Sequence, residues 1–209
     1  AGTYTGSVTV SGGAADERFN IPVIVTVNPS PAKILLPVTA LTFNAMSGGG
    51  SPLSQSVAVL NGGQGAMSWR ADGETLAGAN WLRFVNASGT ADASTPEGSA
   101  AELTVDPASL APGTYYARVR VSATGAPNSP QTVAIALNVL SASAAAGAEV
   151  RPSAATFSSP QGTSPSAQVI QIANLGSRPL SYTSARSAPW LSIVPASATI
   201  APGEPARLV

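Results

Sequence analysis

The stretch APGTYYARVRVSATG, residues 111–125, alternates apolar and polar side chains with a period of two. This alternation is typical of a β-strand with one buried face. Pro112 and Gly113 predict a turn just before the strand, because proline fixes φ and glycine permits a tight reversal. The chain opens with a similar phrase, AGTYTGSVTVSGG, residues 1–13. The same strand therefore occurs twice, which indicates an internal repeat.

A first set of matches links the start of the chain to its middle. The phrase FNIPVIVTV from Phe19 also alternates, and it matches QTVAIALNV from Gln131. The matched pairs are Tyr4 with Tyr115, Val8 with Val119, Val10 with Val121, Ile21 with Val133, Val23 with Ile135, Val25 with Leu137 and Val27 with Val139. Residues 1–28 therefore resemble the last two strands of a domain.

A second set of matches links the middle of the chain to its end. The phrase LTFNAMSGGGSPLSQSVAVLNGG from Leu41 resembles ATFSSPQGTSPSAQVIQIANLGS from Ala155, and AELTV from Ala101 resembles ARLV from Ala206. The matched pairs include Phe43 with Phe157, Val57 with Ile170, Val59 with Ile172, Asn61 with Asn174, Trp69 with Tyr182 and Trp81 with Trp190. Residues 150–209 therefore resemble the first part of the same domain.

These matches predict how the chain is divided. One complete domain is expected at residues 35–140, with linkers at residues 29–34 and 141–149 and partial domains at residues 1–28 and 150–209. Its strands are expected near residues 40–45, 54–60, 65–71, 81–85, 100–105, 114–123 and 131–140. Short strands separated by Gly, Pro, Asn and Ser clusters favour an all-β fold of tandem antiparallel immunoglobulin-like β-sandwiches, one complete and two partial. We expect the chain to begin and end inside a domain.

The composition excludes several classes of function. The 209 residues contain no cysteine and no histidine, so disulfides, thiolate or imidazole catalysis, and Cys- or His-based zinc sites are excluded. Lys+Arg 10 balance Asp+Glu 10, and Lys33 is the only lysine, so nucleic acid is not an expected partner. No apolar run approaches the roughly 18 residues that span a bilayer, so no membrane span is expected. No cofactor is expected either.

Several phrases resemble a known family. WLRF at Trp81, WLSI at Trp190, ELTVDPASLAPGTYYARVRVSA from Glu102 and QTVAIALNVL from Gln131 are similar to bacterial BACON-type immunoglobulin-like repeats of large secreted or surface proteins. The resemblance implies an immunoglobulin-like sandwich, an extracellular or cell-surface location in bacteria, and a role as a carbohydrate-binding module or a spacer. It supplies no ligand motif that could be transferred to individual residues.

Four aromatic residues are candidates for stacking on a sugar ring: Trp81, Trp190, Trp69 and Tyr182. The alternative is that each fills the sandwich core, since each lies in an apolar alternation. Two carboxylate pairs, Asp72 with Glu74 and Asp16 with Glu17, are expected in loops as solvated turn residues. Neither pair has a counterpart in its repeat, so neither predicts acid/base catalysis.

The sequence favours a non-enzymatic structural repeat of a stalk, fibre or surface protein, and a carbohydrate-binding or adhesion module is the alternative. The expected partners are neighbouring repeats or further copies of the chain, with surface glycans as a second class. Two explanations account for the partial domains. Either the chain is a window of a longer array, or strands of residues 1–27 complete residues 150–209 of another copy, head to tail. The candidate assembly residues are Tyr4, Val8, Val10, Ile21, Val23 and Val25.

Overall fold

A computed structural model describes residues 2–11, 18–78, 80–94, 99–143 and 147–209, apart from the side chain of Arg207. Within these ranges the chain forms strands and no helix, which confirms the predicted all-β, immunoglobulin-like class. It consists of an N-terminal hairpin, a central unit and a C-terminal unit.

The strands follow one another along the chain. The N-terminal hairpin contains β1 (Gly2–Ser11) and β2 (Arg18–Val27). The central unit contains β3 (Ile34–Leu35), β4 (Ala40–Met46), β5 (Gln55–Ala58), β6 (Leu60–Asn61), β7 (Ala66–Thr75), β8 (Leu82–Asn86), β9 (Ser88–Asp92), β10 (Ala100–Val105), β11 (Gly113–Ala123) and β12 (Gln131–Leu140). The C-terminal unit contains β13 (Ala148–Arg151), β14 (Ile170–Asn174), β15 (Leu180–Thr183), β16 (Ser197–Ile200) and β17 (Ala206–Leu208).

Two main sheets enclose the core of the central unit. The larger sheet has the strand order β4-β12-β11-β7-β9, and the smaller has the order β5-β10-β8. β12 pairs in parallel with β4, whereas β11 pairs antiparallel with both β12 and β7. The β11–β12 hairpin therefore holds the two sides of the larger sheet together. β3, the first strand of the central unit, pairs with β6.

Alternation along β11 and β12 fills this core. Ala117, Val119 and Val121 of β11 are buried, and the residues between them are exposed. Val133 and Ile135 of β12 are buried in the same way. Each large apolar side chain that is removed from water stabilises the fold by about 1.5–3 kcal/mol. Loss of these two strands would therefore remove a major part of the core.

The structure confirms the predicted strands of the central unit and adds two that the sequence did not predict. β3 is too short to show a period, and β9, with the sequence SGTAD, has no apolar alternation. β7 extends to Thr75, so the expectation that Asp72 and Glu74 lie in a loop was wrong. Pairing with β11 overrides the turn propensity of the Asp-Gly step, and both carboxylates lie on the outer face of the strand.

Two predicted linkers overlap the units that they join. Ile34, assigned to the linker 29–34, is buried in the core, and its backbone N–H donates to Asn128 Oδ1 at 3.0 Å. β13 begins at Ala148, inside the predicted linker 141–149, and residues 144–146 of that linker lie outside the described part of the chain.

The C-terminal unit consists of two small sheets. One has the order β13-β14-β17, and the other is the pair β15-β16. Its buried apolar cluster consists of Ile172, Ile200 and Leu208, with partly buried side chains around them. This cluster is much smaller than the core of the central unit, which draws on both of its main sheets.

A close joint connects the central and C-terminal units. The Gly50 N–H donates to the Gly176 carbonyl at 3.3 Å, and the Leu53 N–H donates to Glu149 Oε2 at 2.9 Å. Arg151 forms an ion pair with the same glutamate, with its Nη2 lying 2.6 Å from Glu149 Oε1. A Cβ at Gly50 would lie 2.3 Å from the backbone nitrogen of Gly203, so only glycine allows this approach.

We expect Gly50→Val to open the joint, because its side chain collides with backbone atoms that cannot rotate away. The substitution should cost about 0.5–1.5 kcal/mol for each hydrogen bond lost and speed amide exchange at Leu53. Residual dipolar couplings should then report a changed orientation of the two units. Gly147→Val is the matched control, since a Cβ there meets nothing within 4 Å. Equal amide exchange rates at Leu53 in the two variants would show that Gly50 is not needed for the contact between the two units.

Candidate assembly site

The N-terminal hairpin presents one apolar face that no other described part of the chain covers. β1 and β2 pair with each other, and all of their residues are exposed. Residues directly opposite in an antiparallel pair share a face, and successive residues alternate between faces. The register places these residues on one face: Tyr4 opposite Val25, Gly6 opposite Val23, Val8 opposite Ile21 and Val10 opposite Phe19.

The other face of the hairpin is mostly polar. It carries Thr3, Thr5, Ser7 and Thr9 of β1, together with Arg18, Asn20, Pro22, Ile24 and Thr26 of β2. A sheet with one apolar and one polar face normally packs its apolar face against a core. The hairpin therefore has the side-chain pattern of a core element, although its apolar face is exposed.

The hairpin has the same register as β11–β12. Tyr115 lies opposite Leu137, Ala117 opposite Ile135, Val119 opposite Val133 and Val121 opposite Gln131, which are the repeat counterparts of the four hairpin pairs. Of these, Ala117, Val119, Val121, Val133, Ile135 and Leu137 are buried in the central core. The apolar face of the hairpin therefore carries the counterparts of residues that β11 and β12 bury in the core of the central unit. The six assembly candidates predicted from the sequence all lie among the eight residues of this face, and the sequence analysis omitted Gly6 and Phe19, whose counterparts are Ala117 and Gln131.

The C-terminal unit repeats several strand pairs of the central unit. β15–β16 matches β7–β9, since Leu180 lies opposite Ile200 as Met67 lies opposite Ala91. β13–β14 matches β3–β6, since Ala148 lies opposite Asn174 as Ile34 lies opposite Asn61. β14–β17 takes the place of β5–β10.

Residues 147–209 contain no counterpart of β11 or β12. Residues 155–160, which match β4, form no strand. In the central unit the backbone of β4 pairs with β12, and Phe43 is 1% exposed. The counterpart, Phe157, is 37% exposed. The C-terminal unit is therefore open at the place that β11 and β12 occupy in the central unit.

The four aromatic candidates differ in their exposure. Trp81 is 1% exposed, and its Nε1–H donates to the Ala77 carbonyl at 3.0 Å. Trp69 is also buried, and its Nε1–H donates to Ser99 Oγ. Trp190 is 76% exposed, although it is the counterpart of Trp81. A sugar needs an exposed ring face, so the two buried tryptophans offer none in the folded central unit.

The fourth candidate, Tyr182, is partly buried. Its hydroxyl is buried and has no hydrogen-bond partner within the described ranges. An unsatisfied buried hydroxyl costs about 1–3 kcal/mol. The counterpart Trp69 has a satisfied donor in the complete unit. The open unit therefore also lacks a hydrogen bond that the complete unit makes.

The charged side chains of the larger central sheet form ordinary surface pairs. Arg70 Nη2 lies 2.6 Å from Asp72 Oδ1. The hydrogen bond that Arg70 donates to this carboxylate raises the pKa of Arg70. Glu74 pairs with Arg118 at 2.6 Å. The Ser94 backbone N–H lowers the pKa of Asp92 by donating to its carboxylate. Asp16 and Glu17 lie outside the described residues.

Neither a metal-ion cluster nor a long apolar helix is present in the described ranges of the chain. No cluster of three or more acidic residues is arranged so that it could hold a metal ion there. No helix in the same ranges has the length and hydropathy needed to cross a bilayer.

Residues 147–209 match the family model of the viral BACON domain. This match confirms, for these residues, the BACON-type resemblance predicted from the sequence. Comparison with curated protein sequences gives no match.

Several solved structures are similar to the chain at low sequence identity. The human CEP192 PapD-like domain 7 is 18% identical, with 56% of this chain and 89% of that chain covered and a TM-score of 0.37. Domains 4 and 5 of the S-layer protein SbsC are 17% identical, with 66% and 58% covered and a TM-score of 0.32. The E. coli chaperone DraB is 12% identical, with 85% and 86% covered and a TM-score of 0.37. Similarities this low carry no argument about function.

The exposure of Trp190 gives a direct test of the open unit. In dilute solution we expect acrylamide to quench one of the three tryptophans efficiently, because Trp69 and Trp81 are buried. Trp190→Phe should remove this quenchable component, whereas Trp81→Phe should retain it. Uniform slow quenching of all three tryptophans in a dilute monomer would contradict the exposed position.

Proposed function

We propose that this chain is a non-enzymatic structural repeat of an extracellular bacterial stalk, fibre or surface protein, in which strands of one repeat complete the next, head to tail. One observation carries the proposal. Trp81 and Phe43 are buried where β11 and β12 are present, and their counterparts Trp190 and Phe157 are exposed where these strands are absent. An open unit of this kind favours strand addition from a neighbouring repeat.

Burial of these side chains gives completion a clear driving force. Covering Trp190 and Phe157 contributes about 1.5–3 kcal/mol for each ring that leaves water. A strand added beside residues 155–160 would also pair backbone groups that lack a ladder in the open unit. Both effects support a repeat that is stable only when its neighbour is in place, as in other repeat arrays.

The composition supports a structural role outside the cell. Lys+Arg 10 and Asp+Glu 10 give a net charge of zero, so charge repulsion does not oppose association of copies. The absence of histidine and cysteine from the sequence leaves no imidazole base and no thiolate nucleophile. The extracellular bacterial setting is supported by the resemblance to BACON-type repeats of large secreted or surface proteins.

The proposal predicts that the C-terminal unit can be completed within one chain. The variant adds, after Val209, a copy of residues 105–111 and then a copy of residues 1–28, so that the added hairpin follows a connection as long as the one between β10 and β11. We expect residues 147–209 to become protease-resistant and their unfolding free energy to rise by about 3–6 kcal/mol from the two rings. Chemical denaturation and limited proteolysis measure both effects.

The matched controls place one charge on either face of the added hairpin. Val8→Asp in the added copy puts a carboxylate on the apolar face and should abolish the gain. Thr9→Asp puts the same group on the polar face and should retain it. If neither the unmodified fusion nor the Thr9→Asp fusion is more stable than the original chain, the structural repeat is not the function of this unit.

A carbohydrate-binding or adhesion module is the second candidate, favoured by the exposed ring of Trp190. This candidate predicts that the unmodified chain binds a glycan and that Trp190→Ala reduces the affinity at least tenfold, since one stacking contact is lost. Tyr116→Ala is the control, because Tyr116 is 56% exposed on the complete unit. Glycan-array binding followed by calorimetry is the measurement, and unchanged binding by Trp190→Ala would exclude this site.

A further inference from the structure

We infer that Asn61 is a site of self-modification in the central unit. Its side-chain amide is lost by reaction with the Gly62 backbone nitrogen when the strand pair β3–β6 opens, and the acid that forms leaves this pair permanently weakened. Residues 61 and 62 form the single Asn-Gly step of the sequence. The site lies within the central unit and is independent of the proposed function.

The reaction is an intramolecular attack followed by hydrolysis. The Gly62 nitrogen bonds to Asn61 Cγ and the bond from Cγ to Nδ2 breaks. The proton of the Gly62 N–H passes through solvent to the departing nitrogen, which leaves as ammonia, and a cyclic succinimide remains. Water opens the succinimide at either carbonyl and gives aspartate or isoaspartate, with no oxidant or reductant involved. Glycine favours the attack, because it has no side chain to hinder its nitrogen and its backbone rotates freely.

In the folded unit both reacting groups are engaged in hydrogen bonds. The Gly62 N–H donates to the Lys33 carbonyl at 2.8 Å. Asn61 Oδ1 accepts from the backbone N–H of Gly63 at 2.9 Å and from that of Lys33 at 3.1 Å. Asn61 Nδ2 donates to the Gly65 carbonyl at 2.7 Å. The Gly62 nitrogen is not free to attack while its N–H is bound to Lys33, so the reaction requires opening of this strand pair.

The repeat counterpart, Asn174, has the same hydrogen-bonding role without the reactive step. Its Oδ1 accepts from the Gly176 N–H at 2.9 Å, and its Nδ2 donates to the Arg178 carbonyl at 2.7 Å. These partners lie two and four residues further along the chain, as they do for Asn61. The residue after Asn174 is Leu175, whose side chain hinders its nitrogen. The structural role therefore does not require a following glycine, and Asn174 is an internal control.

The pair β3–β6 is a weakly held part of the central unit. Its ladder contains Ile34 opposite Asn61 and Leu35 opposite Leu60. Leu35 is 44% exposed, and Ile34 is the buried residue that anchors the strand. Elements with few buried contacts open locally at a lower free energy than the whole domain. We therefore expect β3 to open while the two main sheets remain folded.

Asn128 holds β3 on its other edge. The Ile34 N–H donates to Asn128 Oδ1 at 3.0 Å, and Asn128 Nδ2 donates to the Ile34 carbonyl at 2.8 Å. These two bonds fix the backbone of β3 without involving Asn61 or Gly62. Their removal should therefore raise the frequency of opening and leave the reacting groups unchanged.

Conversion of Asn61 removes a donor and adds a negative charge. A carboxylate still accepts from the Lys33 and Gly63 N–H groups, but it cannot donate to the Gly65 carbonyl. Isoaspartate also lengthens the main chain and displaces the residues that follow. The original bonds between β3 and β6 are therefore not restored. Residues 28–33 join the N-terminal hairpin to β3, so the change loosens the attachment of this connection to the central unit.

The first experiment follows the full 209-residue chain in mildly alkaline buffer at physiological temperature, both folded and in urea. Peptide mass spectrometry measures conversion of Asn61 by the change in mass from amide to acid. We expect conversion in both samples, about threefold to thirtyfold more slowly in the folded chain, because local opening limits it there. Asn174 should stay unconverted over the same time.

A pair of asparagine variants tests the role of opening. Asn128→Ala should speed conversion in the folded chain at least threefold and leave the rate in urea unchanged. Asn138→Ala is the matched control, since that side chain bonds to Asn44 and Thr114 on the outer face of the larger sheet. Its folded rate should equal that of the original chain. The unfolding midpoint of each variant verifies that the two sheets remain folded.

A second pair of variants tests the effect of the product. Asn61→Asp introduces the aspartate directly, and amide exchange at Gly62 should become at least tenfold faster. Exchange at Val119, in the middle of β11, should not change. Asn44→Asp makes the same chemical change on the outer face of the larger sheet and should leave exchange at Gly62 as it is in the original chain.

Four results would overturn the inference. Equal rates of Asn61 conversion in the folded chain and in urea would show that the strand pair does not control the reaction. Asn61 that remains intact in the folded chain beyond the expected range would show that the site does not open. Equal folded rates in Asn128→Ala and Asn138→Ala would separate the reaction from β3. Unchanged exchange at Gly62 in Asn61→Asp would show that loss of the amide does not weaken the pair.

Discussion

The pairing of the β11–β12 hairpin with its two neighbours is the constraint on which the rest of the structure depends. β12 holds β4 on one side, and β11 holds β7 on the other. Where this hairpin is present, the apolar positions of both sheets close into one core. Where its counterpart is absent, in residues 147–209, the segment that matches β4 forms no strand and the matched tryptophan lies in solvent. A strand at the edge of a sheet depends on its partner, because its own sequence does not satisfy its backbone groups.

The same constraint explains why the N-terminal hairpin is unusual. A two-stranded hairpin is marginally stable in water, and this one also exposes an apolar face. Its register and side-chain pattern are those of an element that is buried on one side. The hairpin and the open unit thus carry complementary surfaces, one with the missing strands and the other with the uncovered core.

A close contact joins the central and C-terminal units. Gly50 and Gly176 bring the two backbones into contact, and Glu149 links the Leu53 N–H to Arg151. Small residues at the contact leave no room for a side chain, so the two backbones can approach closely. The BACON match lies in the unit on one side of this joint.

The sequence by itself determined the fold class, the repeat and most strands, because period-two alternation and turn residues act locally. It also predicted that Tyr4, Val8 and Val10 of β1 and Ile21, Val23 and Val25 of β2 are matched positions of a repeat, and the register places them on one face. Only the tertiary structure decided that Trp81 is buried and Trp190 exposed, as the two lie in similar phrases. It also placed Asp72 and Glu74 on a strand and revealed β9, whose sequence has no alternation. In each of these cases the outcome depends on a strand that is distant in sequence, and burial or pairing is a property of that partner as much as of the residue itself.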